Sequence, residues 1–131
     1  MPPELAEKTV KAIENESFTT EIAKIAAFLT DKIGQKPTAY LSGVESPKEV
    51  GNWARGDVKP RDMAENRLRC AFQAVRLLVK AYGPDTAKAW LFGTNTRLGD
   101  EAPAFLMRHA KSIEDIRGIV PTARAFAGAS E

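Results

Sequence analysis

ENRLRCAFQAVRLLVKAYGP, residues 65–84, contains most of the helical pattern that decides the fold. From about Asp62 to Tyr82 the chain has no break before Gly83-Pro84, and its apolar residues recur with the period of an α-helix. We therefore predict a central helix packed on two sides, by the N-terminal helices on one side and by a C-terminal module or a second subunit on the other. Its main apolar face carries Ala64, Leu68, Ala71, Phe72, Val75, Leu78, Val79 and Tyr82, and an adjoining strip carries Cys70, Ala74, Leu77 and Ala81.

The segment before this helix, AYLSGVESPKEVGNWARGDVKP (residues 39–60), has the small-residue and tryptophan spacing of a helix-turn-helix. Ala39 precedes Gly43, which can adopt the left-handed conformation of a turn. Ser46-Pro47-Lys48-Glu49 is a capping-box pattern, with Ser46 placed to bond the amide of Glu49, and it predicts a helix from about Pro47 to Arg55. Earlier helices are predicted over residues 4–15, from Thr19 or Thr20 to Ile33, and from Pro37 to Ser42.

The helix after the turn supplies a set of candidate DNA contacts. Its exposed N-terminal part would face a major groove, where Asn52 could pair an adenine edge. The predicted DNA-binding residues are Ser46, Lys48 and Asn52 on the part that would face the groove, with Arg55 and Lys59 within reach of phosphates. Against this interpretation, the carboxylates of Glu45, Glu49 and Asp57 would repel phosphates. Val50 and Trp53 are equally consistent with core residues of a three-helix unit that once bound DNA.

Beyond Gly83 the pattern predicts a smaller helical module. A short helix carries Trp90, a polar loop contains Asn95, and another helix starts near Pro103 with Phe105 and Leu106 facing inward. A capping-like signal at residues 112–115 opens a last turn or two, which Pro121 is expected to end. The final PTARAFAGASE is rich in small residues, so a loose end is expected. The prediction is an all-α fold in which a helix-turn-helix bundle is joined by a long central helix to a small C-terminal module. Its parts are an N-terminal arm or helix (1–17), the helix-turn-helix region with the long helix (18–83), the module (84–120) and a flexible tail (121–131).

Composition limits the function classes. The charged fraction of 27% and apolar fraction of 44% are typical of a soluble globular protein, and the net charge is only +2. Because the basic excess lies in the second half of the chain, strong DNA affinity from a monomer is not expected. A cytoplasmic location without membrane association is expected from the absence of a long apolar run or a signal-like start. Cys70 is the only cysteine and His109 has no catalytic partner at a recognisable spacing, so we expect no metal, no cofactor and no enzymatic activity.

Residues 39–60, with ENRLR shortly after them, resemble the degenerate Xre-type helix-turn-helix of the Xre/MbcA/ParS antitoxins. AWLFGTNTRLGDEAPAFL (residues 89–106) is similar to the toxin-binding module of that family. The resemblance covers roughly residues 20–115 and departs from the family at Asp100, where many relatives have a small residue. The matching residues in the module are Trp90, Leu91, Asn95, Leu98, Gly99, Pro103 and Leu106.

The resemblance implies a RES-domain toxin as partner, an enzyme that consumes NAD and is silenced when the antitoxin covers it. It places the toxin-blocking role on residues 119–131. The predicted toxin-binding residues are Trp90, Asn95, Leu98, Pro103, Arg124 and Phe126. Operator DNA is a second expected partner, and a homo-oligomer or toxin–antitoxin hetero-oligomer is the expected assembly. The alternative is a stand-alone Xre-like transcription regulator in which residues 84–131 serve as a dimerisation module.

Overall fold

The computed structural model describes residues 5–128, in which eight α-helices are joined by short turns. They are α1 (Glu7–Thr19), α2 (Ile22–Ile33), α3 (Gln35–Ser42), α4 (Pro47–Ala54), α5 (Met63–Tyr82), α6 (Pro84–Phe92), α7 (Pro103–His109) and α8 (Ile119–Phe126). Short 3-10 helices lie at Thr96–Leu98 and Ile113–Ile116. Within residues 5–128 the only β-type pairing is an isolated bridge between Asn95 and Glu101. The all-α class predicted from the sequence is confirmed.

α5 is the centre of the structure, because α1, α2, α3, α6 and α8 all pack against it. Its apolar positions therefore face neighbours in several directions, as the two apolar strips in the sequence predict. The helix ends at Gly83, which has a φ of 99° and is followed directly by α6. The buried residues of α5 are Ala64, Leu68, Ala71, Phe72, Ala74, Val75, Leu77 and Leu78.

α2, α3 and α4 form a three-helix unit, in which α4 packs on both of the others. Gly43 ends α3 with a φ of 89°, and its amide donates to the carbonyls of Ala39 and Tyr40. The predicted capping box is only partly formed, because Ser46 Oγ accepts from the amide of Lys48 at 3.3 Å and not from that of Glu49. The Glu49 amide donates instead to the Ser46 carbonyl at 3.1 Å.

α1 is a helix rather than a loose arm, and it extends to Thr19, beyond the predicted end at residue 15. Val10 and Ile13 are buried against Leu77 of α5. The carboxyl end of α1 is held by Arg69 of α5, whose guanidinium donates to the carbonyls of Ser17 at 3.1 Å and Thr20 at 2.9 Å. Cationic donors at the last carbonyls of a helix are a favourable arrangement.

The C-terminal module differs from prediction in α7. Phe105 is 40% exposed and Leu106 is half-buried, whereas the inward positions are taken by the fully buried Ala104 and Met107. The expectation that Phe105 faces inward was therefore wrong. In a helix of seven residues the apolar pattern is too short to define one face, and packing against α3 and α6 decides which face is buried.

Residues 119–126 form α8. The expectation of a loose segment from residue 121 was therefore wrong as far as residue 128. Residues 129–131 lie outside the described part of the chain. Pro121 is the third residue of α8, where its missing amide hydrogen costs no helical hydrogen bond. Small side chains favour the helix here because Ala123 and Ala127, both fully buried, allow close approach to α5. The Thr122 hydroxyl donates to the Gly118 carbonyl at 2.8 Å. None of the helices in residues 5–128 has the length and apolar character needed to cross a membrane.

Candidate functional site

The first candidate surface is the outer face of α4, which we call the α4 surface and define by Ser46, Lys48, Asn52, Arg55 and Lys59. Val50 and Trp53 hold this helix from the other side and are 0% and 3% exposed. Ser46, Lys48, Arg55 and Lys59 are exposed, and Asn52 is half-buried. The fold therefore presents the predicted DNA-binding set on one side of α4 and in the turn that follows it.

Arg55 is engaged within the α4 surface. Its guanidinium donates to Asn52 Oδ1 and, from Nε, to Asp57 Oδ2 at 3.1 Å. Pairing an adenine edge needs the Asn52 side-chain oxygen as an acceptor, so this contact would have to break on DNA binding. The side chains of Arg55 and Asp57 are 60% and 61% exposed, so their ion pair contributes little stability and can open when Arg55 meets another partner.

The second candidate surface is an aromatic cluster of Tyr82, Trp90 and Phe126 at the carboxyl end of α5, which we call the aromatic cluster. The ring of Phe126 lies 5.2 Å from that of Tyr82 and 6.5 Å from that of Trp90, between centroids. The Tyr82 hydroxyl donates to the Phe126 carbonyl at 2.9 Å. Trp90 is 8% exposed but Phe126 is 44% exposed, so α8 covers the indole and presents the phenyl ring to solvent.

Two buried donors accompany this cluster. Trp90 Nε1 and Arg124 Nε have no hydrogen-bond partner within residues 5–128. An unpaired buried donor costs about 1–3 kcal/mol relative to a satisfied one.

The remaining residues of the predicted toxin-binding set stabilise the chain between α6 and α8. Asn95 Oδ1 accepts from the Arg97 amide at 3.0 Å, and the Asn95 carbonyl accepts from the Asp100 amide at 2.9 Å. Leu98 is half-buried beside Gly118, and Pro103 is buried at the first position of α7. The fold thus brings Trp90 and Phe126 together. Asn95 instead holds the loop in its conformation through hydrogen bonds, and Pro103 begins α7.

Sequence reasoning missed a pair of arginines that joins the two halves of the molecule, Arg67 of α5 and Arg108 of α7, which we call the arginine clamp. Arg67 donates from Nη1 to the Ser42 carbonyl at 3.1 Å and from Nη2 to the Ala110 carbonyl at 2.6 Å. Arg108 donates to the Tyr40 carbonyl at 2.9 Å and to Glu45 Oε1 at 3.1 Å. The clamp therefore ties the end of α3, next to the helix-turn-helix turn, to the end of α7.

The arginine clamp packs closely against Gly43, and its two positive charges act on each other. A Cβ added at Gly43 would lie 2.6 Å from Arg67 Nη1, so a side chain at this turn would have to displace the Arg67 guanidinium. Desolvation, and secondly the nearby charge of Arg108, lower the pKa of Arg67 from its ordinary value. The signal for Arg67 was present in the sequence, since a cation stands three residues after Ala64 and four before Ala71 on an otherwise apolar face of α5.

The surroundings of Cys70 and His109 are not those of a reactive side chain. Burial raises the pKa of the Cys70 thiol to about 12, which keeps it protonated and a poor nucleophile. The His109 ring lies 4.3 Å from that of Phe105, between centroids, at the end of α7. Among residues 5–128 there is no group of three or more His, Cys, Asp and Glu side chains that could hold a metal ion.

Comparison of the chain with protein-family models, curated proteins and solved structures gives no match.

Proposed function

We propose that this chain is the antitoxin of a type II toxin–antitoxin pair, which binds a RES-domain toxin and blocks the toxin's consumption of NAD. The observation that carries the proposal is the aromatic cluster at the end of α5, where α8 presents Phe126 beside the buried indole of Trp90. The proposal also depends on the resemblance of residues 39–60 and 89–106 to the two modules of the Xre/MbcA/ParS antitoxins.

The aromatic cluster has the composition of a protein-binding hot spot. Trp and Tyr are among the residues that most often dominate interface energetics, and the rings of Tyr82 and Trp90 lie 5.2 and 6.5 Å from that of the exposed Phe126, between centroids. Phe126 is 44% exposed, so a partner can contact the phenyl ring directly. Both features support contact with another polypeptide at this end of the molecule.

The helical state of α8 changes how occlusion would work. A loose tail must be ordered on binding and loses conformational entropy, whereas α8 is already docked on α5 through Ile119 and Ala123. We therefore propose that the blocking element is a preformed helix, with Phe126 as its anchor and Arg124 two residues before it.

The test is NAD consumption by the toxin, measured with the antitoxin titrated into the assay. We expect Phe126→Ala and Arg124→Ala to weaken inhibition by at least about tenfold, which corresponds to about 1.4 kcal/mol. Val58→Ala is the matched control, because Val58 is 46% exposed against 44% for Phe126 but lies in the turn after α4, outside residues 89–131. Unchanged inhibition by both α8 variants would refute occlusion by this helix, and failure of the intact chain to bind the toxin would refute the proposed function.

DNA binding by the α4 surface is the second candidate function, favoured by the exposure of Ser46, Lys48 and Lys59 on one side of the helix-turn-helix. We propose that it supports repression of the antitoxin's own operon, or regulation by the chain alone. Lys48→Ala and Lys59→Ala should each weaken operator binding and reduce its salt dependence by about one unit of slope. Fluorescence anisotropy at several salt concentrations measures both, and binding that is insensitive to salt would exclude phosphate contacts from these lysines.

A further inference from the structure

A groove that neither candidate surface uses lies over the carboxyl half of α5, between α1 and α2. α1 contributes Lys8 and Ala12 to it, α2 contributes Phe28, and α5 contributes Val79 and Lys80. Its volume is about 400 Å³, and it is open to solvent along its outer side. Both α1 and α2 pack directly on α5, so the groove is a preformed part of the helical bundle. We call it the α1–α2 groove.

The apolar interior of the α1–α2 groove is held in place by an aromatic contact. Phe28 packs edge-to-face on Phe72 of α5, with 5.2 Å between the ring centroids. The guanidinium carbon of Arg76 and the Nζ of Lys32 each lie 5.9 Å from the centroid of Phe28, within the range of a cation–π interaction. The π surface of this ring is therefore already in contact with cations of the chain itself, and Phe28 forms a fixed apolar wall.

The α1–α2 groove carries an excess of positive charge. Lys8, Arg76 and Lys80 line it, and among residues 5–128 no carboxylate does. Arg76 is neutralised by Glu16, with 2.8 Å between Nη1 and Oε2. Lys8 and Lys80 are both exposed, and neither makes an ion pair within the described part of the chain. Since the net charge of the whole chain is only +2, two uncompensated lysines beside one apolar groove are a local feature and not a reflection of composition.

Shape and charge together favour one class of ligand. Sites for small molecules enclose most of the ligand surface, whereas this groove is open along one side and suits a polypeptide segment lying against it. The bases of a nucleic acid stack on free aromatic faces, which Phe28 does not offer because Lys32 and Arg76 lie against its ring. An amphipathic helix needs an apolar groove for one face and complementary charges for the residues at its edges. The α1–α2 groove provides both, with positive charges at the edges.

We propose that the α1–α2 groove binds an acidic amphipathic helix of a partner protein. The apolar side chains of that helix would contact Ala12, Phe28 and Val79, and its carboxylates would pair with Lys8 and Lys80. Neither α1 nor α2 contributes a residue to the α4 surface or to the aromatic cluster. The interaction is therefore separate from toxin binding and DNA binding, and it does not depend on the proposed function.

The experiment is fluorescence anisotropy with the chain alone and a labelled synthetic peptide of about 14 residues, in which Leu recurs at helical spacing and Glu fills the other face. We expect a dissociation constant of about 10–100 µM that rises with salt, because exposed charges are screened. Lys8→Glu and Lys80→Glu should each raise it by at least about fivefold, since like-charge repulsion replaces an attraction. Lys111→Glu is the matched control, because it makes the same change in net charge at an exposed residue that does not line the groove.

Two further measurements separate the apolar contact from general charge attraction. A peptide of the same charge with Ser in place of Leu should bind at least about tenfold more weakly. Ala12→Glu exchanges one good helix former for another at an exposed position, and it should weaken binding because it places a carboxylate among those of the peptide. Circular dichroism checks that every variant keeps its helical content.

Several results would overturn the assignment. Failure of the wild-type chain to bind the acidic peptide, equal binding of the serine peptide, or an equal loss in Lys111→Glu would show that the groove does not select an acidic amphipathic helix. Tighter binding of a single-stranded oligonucleotide or of phosphatidylserine vesicles, lost in Lys80→Glu, would assign the groove to nucleic acid or to a membrane surface instead. Because the assay contains no toxin, none of these outcomes bears on the proposed function.

Discussion

Arg67→Ala should destabilise the protein far more than the substitution of an exposed arginine such as Arg117, because Arg67 is the point at which α5 holds both α3 and α7. The guanidinium donates to the Ser42 carbonyl at the end of α3 and to the Ala110 carbonyl at the end of α7. Alanine would leave both carbonyls without this donor and would open space beside Gly43.

The magnitude follows from the contacts. A hydrogen bond from a charged donor contributes about 1.5–3 kcal/mol, so two give about 3–6 kcal/mol. Part of this is offset, since desolvation and the charge of Arg108 disfavour the charged form of Arg67, and its buried Nε has no hydrogen-bond partner within residues 5–128. Releasing the arginine side chain also recovers about 1.5–2 kcal/mol of conformational entropy. We expect a net loss of about 2–3 kcal/mol, equivalent to a fall in Tm of about 10 °C.

The assay is urea denaturation followed by circular dichroism, with Arg117→Ala as the matched control. Arg117 and its partner Glu114 are 71% and 67% exposed, so their ion pair should contribute about 0–1 kcal/mol. Arg67→Lys should lie between wild type and Arg67→Ala, because an ammonium group cannot reproduce the forked geometry that reaches both carbonyls. If Arg67→Ala and Arg117→Ala lower the free energy of unfolding equally, the clamp does not hold the two halves together.

Gly43→Ala offers an independent check on the same contact. The substitution should cost about 1–2 kcal/mol from the φ of 89° alone, plus the cost of displacing Arg67 Nη1. In the Arg67→Ala background only the backbone cost should remain. A double-mutant cycle with no coupling between positions 43 and 67 would show that the close approach carries no free energy.

Three further predictions concern stability. Between pH 9.0 and about 12 the Cys70 thiol should ionise in the unfolded chain but stay protonated in the native one. Because the native state then binds more protons than the unfolded state, the free energy of unfolding should fall by up to about 1.4 kcal/mol per pH unit. Denaturation midpoints of Cys70→Ala should lack this part of the alkaline decline, and identical pH profiles would contradict the burial of the thiol. Trp53→Ala should cost about 3–5 kcal/mol in urea denaturation because Trp53 is 3% exposed under α4, and a loss below about 1 kcal/mol would show that α4 does not depend on it. Asp62→Gly should raise the Tm by a few degrees, since Asp62 has a φ of 49° and glycine relieves about 1 kcal/mol of strain, so a lowered Tm would imply that the carboxylate stabilises the start of α5.

Local patterns in the sequence were sufficient for α1 to α7 and for the central position of α5. Helical periodicity depends only on neighbours a few residues apart, so α2, α5 and α6 could be placed within a few residues of their observed limits. Gly43 and Gly83 were recognised as ends because a left-handed residue stops a helix whatever surrounds it. The candidate residues on α4 could likewise be named, because Val50 and Trp53 define its buried side and leave Ser46 and Lys48 on the other.

What the tertiary structure alone decided is the pairing of groups far apart in the chain. Arg67 meets carbonyls 25 and 43 residues away, and Tyr82 meets Phe126 44 residues away. No local pattern encodes such contacts, because they form only when the helices have packed at particular distances from one another. α8 shows the same principle: its small residues look too weak for a core when read alone, yet they allow close approach to α5, and packing against a neighbour provides the stability that a short helix lacks in isolation.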